Sequence, residues 1–186
     1  MSEKTFSNPA AVGLAGFGGT TLLLQFHNLG FCGTGSVVWA AIFFGGLMQF
    51  IVGLQEFRTA NNFGYAVFST YGAFWMALGG IFLGINYGIL KVGNPEIGCF
   101  MVVFTIITAI FMMGSFKQNG VLAFTFVTLL IGFICLDISL LGNMPLFTLI
   151  AGIDLTICAL SAWYLMAHVI YSQFGWNLPV GKAWIK

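Results

Sequence analysis

The chain has 186 residues, of which 59% are apolar and only 6% are charged. An ordinary soluble domain has about 25% charged residues, so this composition excludes a soluble globular fold, and its apolar content excludes intrinsic disorder. A net charge of +1 without any cluster of Lys or Arg excludes a basic nucleic-acid binder. The composition therefore predicts an all-α membrane protein that has no nucleic-acid partner.

Six apolar runs follow one another along the chain, and each is long enough for a transmembrane helix, which needs roughly 20 residues. They predict one six-helix domain over residues 1–186, with spans at about 9–31, 36–55, 63–85, 97–114, 121–141 and 146–171. The short connections leave no room for a soluble catalytic domain. We therefore expect no enzyme, and the four cysteines have no spacing that would bind a metal or cofactor.

The positive charges favour one orientation in the membrane. If the N-terminus is cytoplasmic, the inner segments carry all Lys and Arg residues except Lys91, namely Lys4, Arg58, Lys117, Lys182 and Lys186. Such an excess is typical of cytoplasmic loops. The sequence therefore predicts a multi-pass protein of the cytoplasmic (inner) membrane, with both termini in the cytoplasm.

Three spans are preceded by an Asn–Pro signal, at Asn8-Pro9, Asn94-Pro95 and Asn143-Met144-Pro145. Asn is a good N-cap, and Pro fits the first helical turn. These residues are explained fully as helix starts. A second interpretation is that the partial positive charge of each N-terminus attracts an anion to a mouth of the helical bundle.

Counting along the spans places four side chains at one depth. Phe17, Tyr71 and Leu129 each lie eight residues past the predicted starts of spans one, three and five, and Ala162 lies eight residues before Ile170. At 1.5 Å per residue, each lies about 12 Å into the membrane. The count does not determine which way each side chain points.

Three separated motifs carry a resemblance to a known family. They read NPAAVGLAGFGGTTLLLQFHN, GLQEFRTANNFGYAVFSTYGAFW and SAWY. In content and order they resemble the acetate uptake transporter family, the YaaH-type acetate/succinate permeases, whose N-terminal signature usually reads NPAPLGL. Asn8, Pro9, Gly13 and Leu14 match that signature, and the resemblance implies that these four lie on the substrate pathway. Positions 11 and 12 hold Ala and Val in place of Pro and Leu.

The resemblance implies a homo-hexamer with a pore through each six-helix protomer. It places the narrowest part of the pore at Phe17, Tyr71 and Leu129, which are the residues that the depth count sets at one level. It also assigns to Ala162 the small residue that helps to set substrate size.

A small carboxylate fits the polar residues of the spans. An ionised carboxylate is costly in hydrocarbon, and uncharged polar groups lower that cost without holding the ion tightly. The spans contain no Lys or Arg but contain candidate polar groups for the pathway, namely Thr20, Thr21, Gln25, Gln49, Thr70, Thr128 and the Tyr71 hydroxyl.

Three carboxylates are candidates for a proton relay: Asp137 and Asp154 within spans five and six, and Glu56 at the end of span two. Intramembrane carboxylates are functional candidates by default. The alternatives are partial exposure near the outer surface for the two aspartates, and ordering of the inner loop for Glu56.

The sequence as a whole predicts membrane transport of acetate and similar short monocarboxylates, with succinate as a further candidate, by an anion channel or a proton-coupled symporter. Acetate, protons and the lipid bilayer are then the expected partners, and no cofactor is expected. Two alternatives stay open: a channel for ammonia, urea or water, and a membrane assembly subunit that transports nothing.

Overall fold

The computed structural model describes residues 7–186, so Lys4 lies outside the described part. Regular structure in residues 7–186 is helical, which confirms the all-α prediction. The six long helices are α1 (Ala10–Asn28), α2 (Gly35–Arg58), α3 (Asn62–Asn86), α4 (Asn94–Ser115), α5 (Gly120–Gly142) and α6 (Pro145–Ser172). Each helix overlaps one of the six predicted runs.

Five of these helices, α2 to α6, are long and apolar enough to cross a membrane. The remaining helix, α1, has 19 residues and is therefore about 28 Å long, close to the thickness of a bilayer core. Its glycines, its paired threonines and Gln25 make it less apolar than the others.

The outward faces of the helices are apolar. On α4, the residues Val103, Ile106, Ile110 and Met113 are each more than half exposed, and their spacing places them on one face of the helix. Such a continuous apolar surface is typical of a helix that faces lipid or another membrane helix.

The helices pack mainly against their neighbours in chain order, and α1 also packs closely against α6. Contact between α3 and α4 is the sparsest of these and is made by side chains. The Tyr71 hydroxyl and Thr108 Oγ1 lie 2.7 Å apart, and the rings of Phe74 and Phe104 lie 4.7 Å apart. Side chains from α1, α3 and α5 meet in the interior of this arrangement.

Glycines allow α2 to approach two helices at backbone distance. A Cβ atom at Gly16 of α1 would lie 2.6 Å from the carbonyl oxygen of Phe44, and one at Gly72 of α3 would lie 2.5 Å from the amide nitrogen of Phe50. Both distances are too short for a side chain. The three helices therefore depend on glycine at these positions for their spacing.

The middle of α2, Ala40–Met48, is π-helical, which the sequence analysis did not predict. The turns of a π-helix are wider than those of an α-helix and are rare in proteins. The hydroxyl of Thr20 on α1 donates a hydrogen bond to the carbonyl oxygen of Ala40, over 3.3 Å, at the start of this segment. The irregular part of α2 is thus packed against α1.

The Asn–Pro signals behave differently at the three helix starts. Asn8 accepts a hydrogen bond from the amide of Ala10, as expected for the start of α1. At the start of α4, the amide of Gly93 donates instead to Glu96. The prediction that Asn143 starts α6 is wrong, because Asn143 has a positive φ of 51° and ends α5, a position that Asn tolerates well.

The chain after α6 folds back over the ends of α4 and α5. The Trp184 amide donates to the Phe116 carbonyl, and the Val121 amide donates to the Val180 carbonyl. Lys117 also donates to the backbone oxygen of Lys186. This C-terminal segment (residues 173–186) therefore lies at the same end of the bundle as the α4–α5 turn.

Candidate functional site

Phe17, Tyr71 and Leu129 come together in the centre of the bundle, one from each of α1, α3 and α5. Their side chains are 7%, 2% and 5% exposed, and the ring centroids of Phe17 and Tyr71 are 5.9 Å apart. We call these three residues the constriction, because they line both of two cavities and are the residues that the two linings share.

The Tyr71 ring is held on several sides. Its hydroxyl is hydrogen-bonded to Thr108 of α4, and the rings of Phe111 and Phe126 lie with their centroids 6.0 and 6.4 Å from its own. Aromatic pairs at these distances attract one another. The phenol therefore has a defined position and its hydroxyl already has a partner.

The larger cavity has a volume of about 180 Å³. It extends from the constriction to the ends of the helices, where Ala10 begins α1 and where Asn61 and Asn119 cap α3 and α5. The polar groups in its lining are amides, hydroxyls and one imidazole. They belong to Gln49, Asn61, Gln118, Asn119, Thr125, His168 and Tyr71.

The smaller cavity, on the other side of the constriction, has a volume of about 20 Å³, which is enough for about one water molecule. Thr21, Gln25 and Trp75 bring polar groups to its lining. The Gln25 amide is engaged, since it donates to the Thr21 carbonyl over 2.9 Å and accepts from Asn28.

Three polar atoms that line the cavities are buried and have no hydrogen-bond partner among residues 7–186. They are Oε1 of Gln49 in the larger cavity, and Oγ1 of Thr21 and Nε1 of Trp75 in the smaller one. A buried polar atom without a partner is costly in free energy. These three atoms are therefore placed to bind a water molecule or a polar solute.

Two of the predicted pathway residues, Leu14 and Gln49, line the larger cavity. Thr21 and Gln25 line the smaller cavity, and the remaining predicted residues form a second group that lies outside both linings. Of these, Asn8 accepts a hydrogen bond from the Ala10 amide just before α1, Thr20 donates to the Ala40 carbonyl and Thr128 donates within α5. Pro9, Gly13, Thr70 and Ala162 complete that second group, and Ala162 is fully buried.

The three predicted relay carboxylates also lie outside both cavity linings. Asp137 accepts a hydrogen bond of 2.6 Å from Thr105 of α4. Glu56 accepts one of 2.8 Å from Asn61 and so joins the end of α2 to the start of α3. Asp154 is half-buried on α6, and its Oδ2 has no partner among residues 7–186.

Helical spacing from the constriction identifies several further lining residues that neither the motifs nor the polar pattern indicates. On α5, the lining residues lie seven, four and three positions before Leu129 and four and seven positions after it: Leu122, Thr125, Phe126, Phe133 and Leu136. Residues at these spacings share one face of a helix. On α1, the same rule extends from Phe17 back to Leu14 and Ala10 and forward to Thr21 and Leu24.

Comparisons with known proteins give consistent matches. The family model described as the GPR1/FUN34/yaaH family matches residues 1–178. The chain is 36% identical over 188 residues to the succinate-acetate/proton symporter SatP of Escherichia coli strain K12, covering 98% of this chain and 100% of that protein. It is 31% identical over 169 residues to ammonia transport outward protein 2 of Saccharomyces cerevisiae, covering 86% of this chain and 60% of that protein.

The fold is similar to the solved structure of the bacterial acetate channel SatP. The TM-score is 0.91 at 35% sequence identity, over 95% of this chain and 100% of that one. Together with the five apolar helices, these matches make the chain a multi-pass integral membrane protein that is related to transporters and channels rather than to enzymes.

Proposed function

The chain belongs to the GPR1/FUN34/YaaH family, in agreement with the resemblance of its three motifs, and from this premise we propose that it transports acetate and other short monocarboxylates across the membrane. Succinate is a further candidate substrate, since a relative is named as a succinate-acetate/proton symporter. The transported acid passes between the two cavities through the constriction.

One observation carries this proposal: among residues 7–186, the side chains that line both cavities are those of Phe17, Tyr71 and Leu129. A solute that moves from one cavity to the other must therefore pass these three residues. Two rings and an isobutyl group form an apolar aperture, which favours the methyl group of acetate and disfavours a bulky or hydrated solute.

The polar atoms on each side of the constriction suit a carboxylate. Thr21 and Trp75 offer an O–H and an N–H in the smaller cavity, whereas Oε1 of Gln49 in the larger one accepts a hydrogen bond from a water molecule or a protonated acid. Uncharged donors lower the cost of dehydrating an anion but release it readily, as conduction requires. A Lys or Arg in the pathway would hold the anion more tightly.

We assign the predicted pathway residues outside the two linings to the framework of the pore. Asn8 and Pro9 form the start of α1, and Gly13 allows α1 to pack closely, since a Cβ there would lie 2.7 Å from the Phe68 ring. Ala162 lies buried on α6, where a larger residue would displace its neighbours toward the pore.

The proposed topology has six spans, including α1, and cytoplasmic termini. Arg58 at the end of α2, Lys117 in the α4–α5 turn and Lys182 in the C-terminal segment follow helix ends on the side of the larger cavity. Lys91 lies between α3 and α4 at the opposite end. By the preference of Lys and Arg for cytoplasmic loops, the larger cavity opens to the cytoplasm.

Two further parts of the proposal concern assembly and coupling. The family resemblance supports a homo-hexamer, and the apolar face of α4 offers a surface for a neighbouring protomer or lipid.

A proton accompanies the substrate, because protonation removes the charge that makes the apolar constriction costly to cross.

The test is flux into proteoliposomes that contain the purified chain, with protein-free liposomes as the control. Labelled acetate is expected to enter faster with the protein than without it. Ammonia is expected to enter at the same rate in both cases. Acetate uptake that equals the protein-free rate would reject the proposal and favour a non-transporting subunit. Acetate rates that are equal with and without a pH gradient would reject obligatory coupling to protons.

A further inference from the structure

His168 is the one imidazole in the lining of the larger cavity, and it lies on α6 toward the end that we assign to the cytoplasm. Within the described part of the chain, the other lining residues of this cavity include no Lys, Arg, Asp or Glu, and those of the smaller cavity include none either. Of the groups that line the proposed pathway in residues 7–186, His168 is thus the one imidazole, the side chain that most commonly acts as a proton donor and acceptor in proteins.

A hydrogen bond to the C-terminal segment determines which ring nitrogen exchanges a proton. Nδ1 of His168 lies 2.7 Å from the carbonyl oxygen of Leu178. Because a carbonyl oxygen only accepts, Nδ1 carries a hydrogen in both the neutral and the cationic ring. Proton exchange therefore takes place at Nε2.

The surroundings leave the imidazole as the ionisable group nearest to an entering anion. Lys117 is engaged with the backbone oxygen of Lys186, and Tyr164 donates to the carbonyl of Pro179. In residues 7–186, the titratable and charged groups at this end of α6 and on the elements around it are Glu56, Arg58, Tyr65, Lys117, Tyr164, Tyr171, Lys182 and Lys186. None of these eight lines the cavity. His27, Asp137 and Asp154 lie toward the opposite ends of α1, α5 and α6.

We propose that His168 is the proton-exchange residue of the cytoplasmic mouth of the pore. The cationic ring attracts a carboxylate into the larger cavity. The Nε2–H bond then breaks as an O–H bond forms on the carboxylate, which yields a neutral acid and a neutral imidazole. A proton from the cytoplasmic solvent then binds to Nε2 and restores the cationic ring. The neutral acid crosses the apolar constriction at a lower cost than the anion. Inward transport runs these steps in reverse.

This inference rests on the proposed function, and the variant H168N tests it. Asparagine keeps an N–H near the position of Nδ1 for the Leu178 carbonyl but has no group that titrates. The matched control is H27N, because His27 makes the same kind of bond, from Nδ1 to the Cys32 carbonyl over 3.0 Å, and lines neither cavity. H168Q serves as a second variant, and thermal unfolding in detergent identifies any variant that fails to fold.

The measurement is the initial rate of labelled acetate flux in proteoliposomes, with equal pH on both sides, reported as the ratio of the unmodified protein to each variant. The ionisation of acetate itself cancels in this ratio. For H168N the ratio is expected to be close to one near pH 8 and to rise roughly fivefold by about pH 6, the range in which a proton-exchange histidine acts in proteins generally. For H27N it is expected to stay constant.

A ratio for H168N and H168Q that does not change with pH would overturn the proposal and leave His168 as an anchor of the C-terminal segment. The same slope in H27N would also overturn it. If the unmodified protein carries no acetate, the proposed function fails and this inference fails with it. A flat ratio in a protein that carries acetate rejects this inference alone.

Discussion

The hydroxyl of Tyr71 and Oγ1 of Thr108 lie 2.7 Å apart and are both buried, which joins α3 to α4 by a single polar contact at the level of the constriction. Elsewhere α3 and α4 have little backbone contact. This hydrogen bond therefore fixes the Tyr71 ring in the pore and also stabilises the sparsest interface of the bundle.

Replacing Tyr71 by Phe tests this double role. Y71F keeps the ring but leaves the Thr108 hydroxyl buried without its partner, so we expect a loss of about 1–3 kcal/mol in the free energy of unfolding. Thermal unfolding in detergent provides the measurement. T108V is expected to have a similar effect, and the double variant should lose less than the sum of the two. Additive losses would mean that the two groups are not coupled.

Replacing Leu129 by Ala tests whether the constriction limits substrate size. L129A removes most of one side of the aperture, so we expect uptake of lactate to rise relative to uptake of acetate. The matched control is L78A, because Leu78 is fully buried on α3 and lines neither cavity. Both variants are expected to lose about 2–5 kcal/mol of stability, but only L129A should admit lactate. Equal lactate uptake in both would contradict the assignment.

The adjacent threonines of α1 provide a test of the smaller cavity. Thr21 has a buried hydroxyl without a partner, on the cavity lining, whereas the hydroxyl of Thr20 is bonded to the Ala40 carbonyl. T21V removes one polar group for a dehydrated carboxylate, so acetate flux is expected to fall about fivefold to tenfold, equivalent to roughly 1 kcal/mol or slightly more. T20V is expected to lower stability and leave the flux per folded protein unchanged. A fall in acetate flux in T20V but not in T21V would place Thr20 on the pathway.

The prediction that Asp137 and Asp154 relay protons has a direct test in D137N and D154N. Since neither side chain lines a cavity, we expect both variants to keep uptake of acetate driven by a pH gradient. Loss of gradient-driven uptake with normal exchange of acetate at equal pH would instead support a relay through these residues. Equilibrium exchange is therefore the control measurement for each variant.

The level of the constriction could be predicted from the sequence, because helix rise converts residue counts into depth. This count sets Phe17, Tyr71 and Leu129 at one depth in the membrane. The family resemblance indicates that they face the pore. Depth alone could not separate Thr20 from Thr21, because neighbouring residues on a helix point about 100° apart. The rotation of each helix depends on packing contacts, such as that of Gly16 with Phe44, which the hydropathy pattern does not report.

The hydrogen bond of His168 to the C-terminal segment could not be predicted, for a different reason. Its partner, the Leu178 carbonyl, belongs to a segment without regular secondary structure, and the return of that segment to the bundle leaves no periodic pattern in the sequence. Similarly, Asn143 precedes a proline and has the pattern of a helix start, but its left-handed backbone ends the preceding helix. In both cases long-range or backbone geometry determined the outcome.

The π-helical part of α2 has a consequence for chain length. Its wide turns hold more residues than α-helical turns, so a chain with one residue fewer in Ala40–Met48 would return toward the regular pitch and keep Gln49 facing the cavity. The same deletion after Gln49 would rotate the rest of α2 by about 100° and separate Glu56 from Asn61. Gaps in this stretch of an alignment are thus compatible with an unchanged pore, whereas gaps between Gln49 and Arg58 are not.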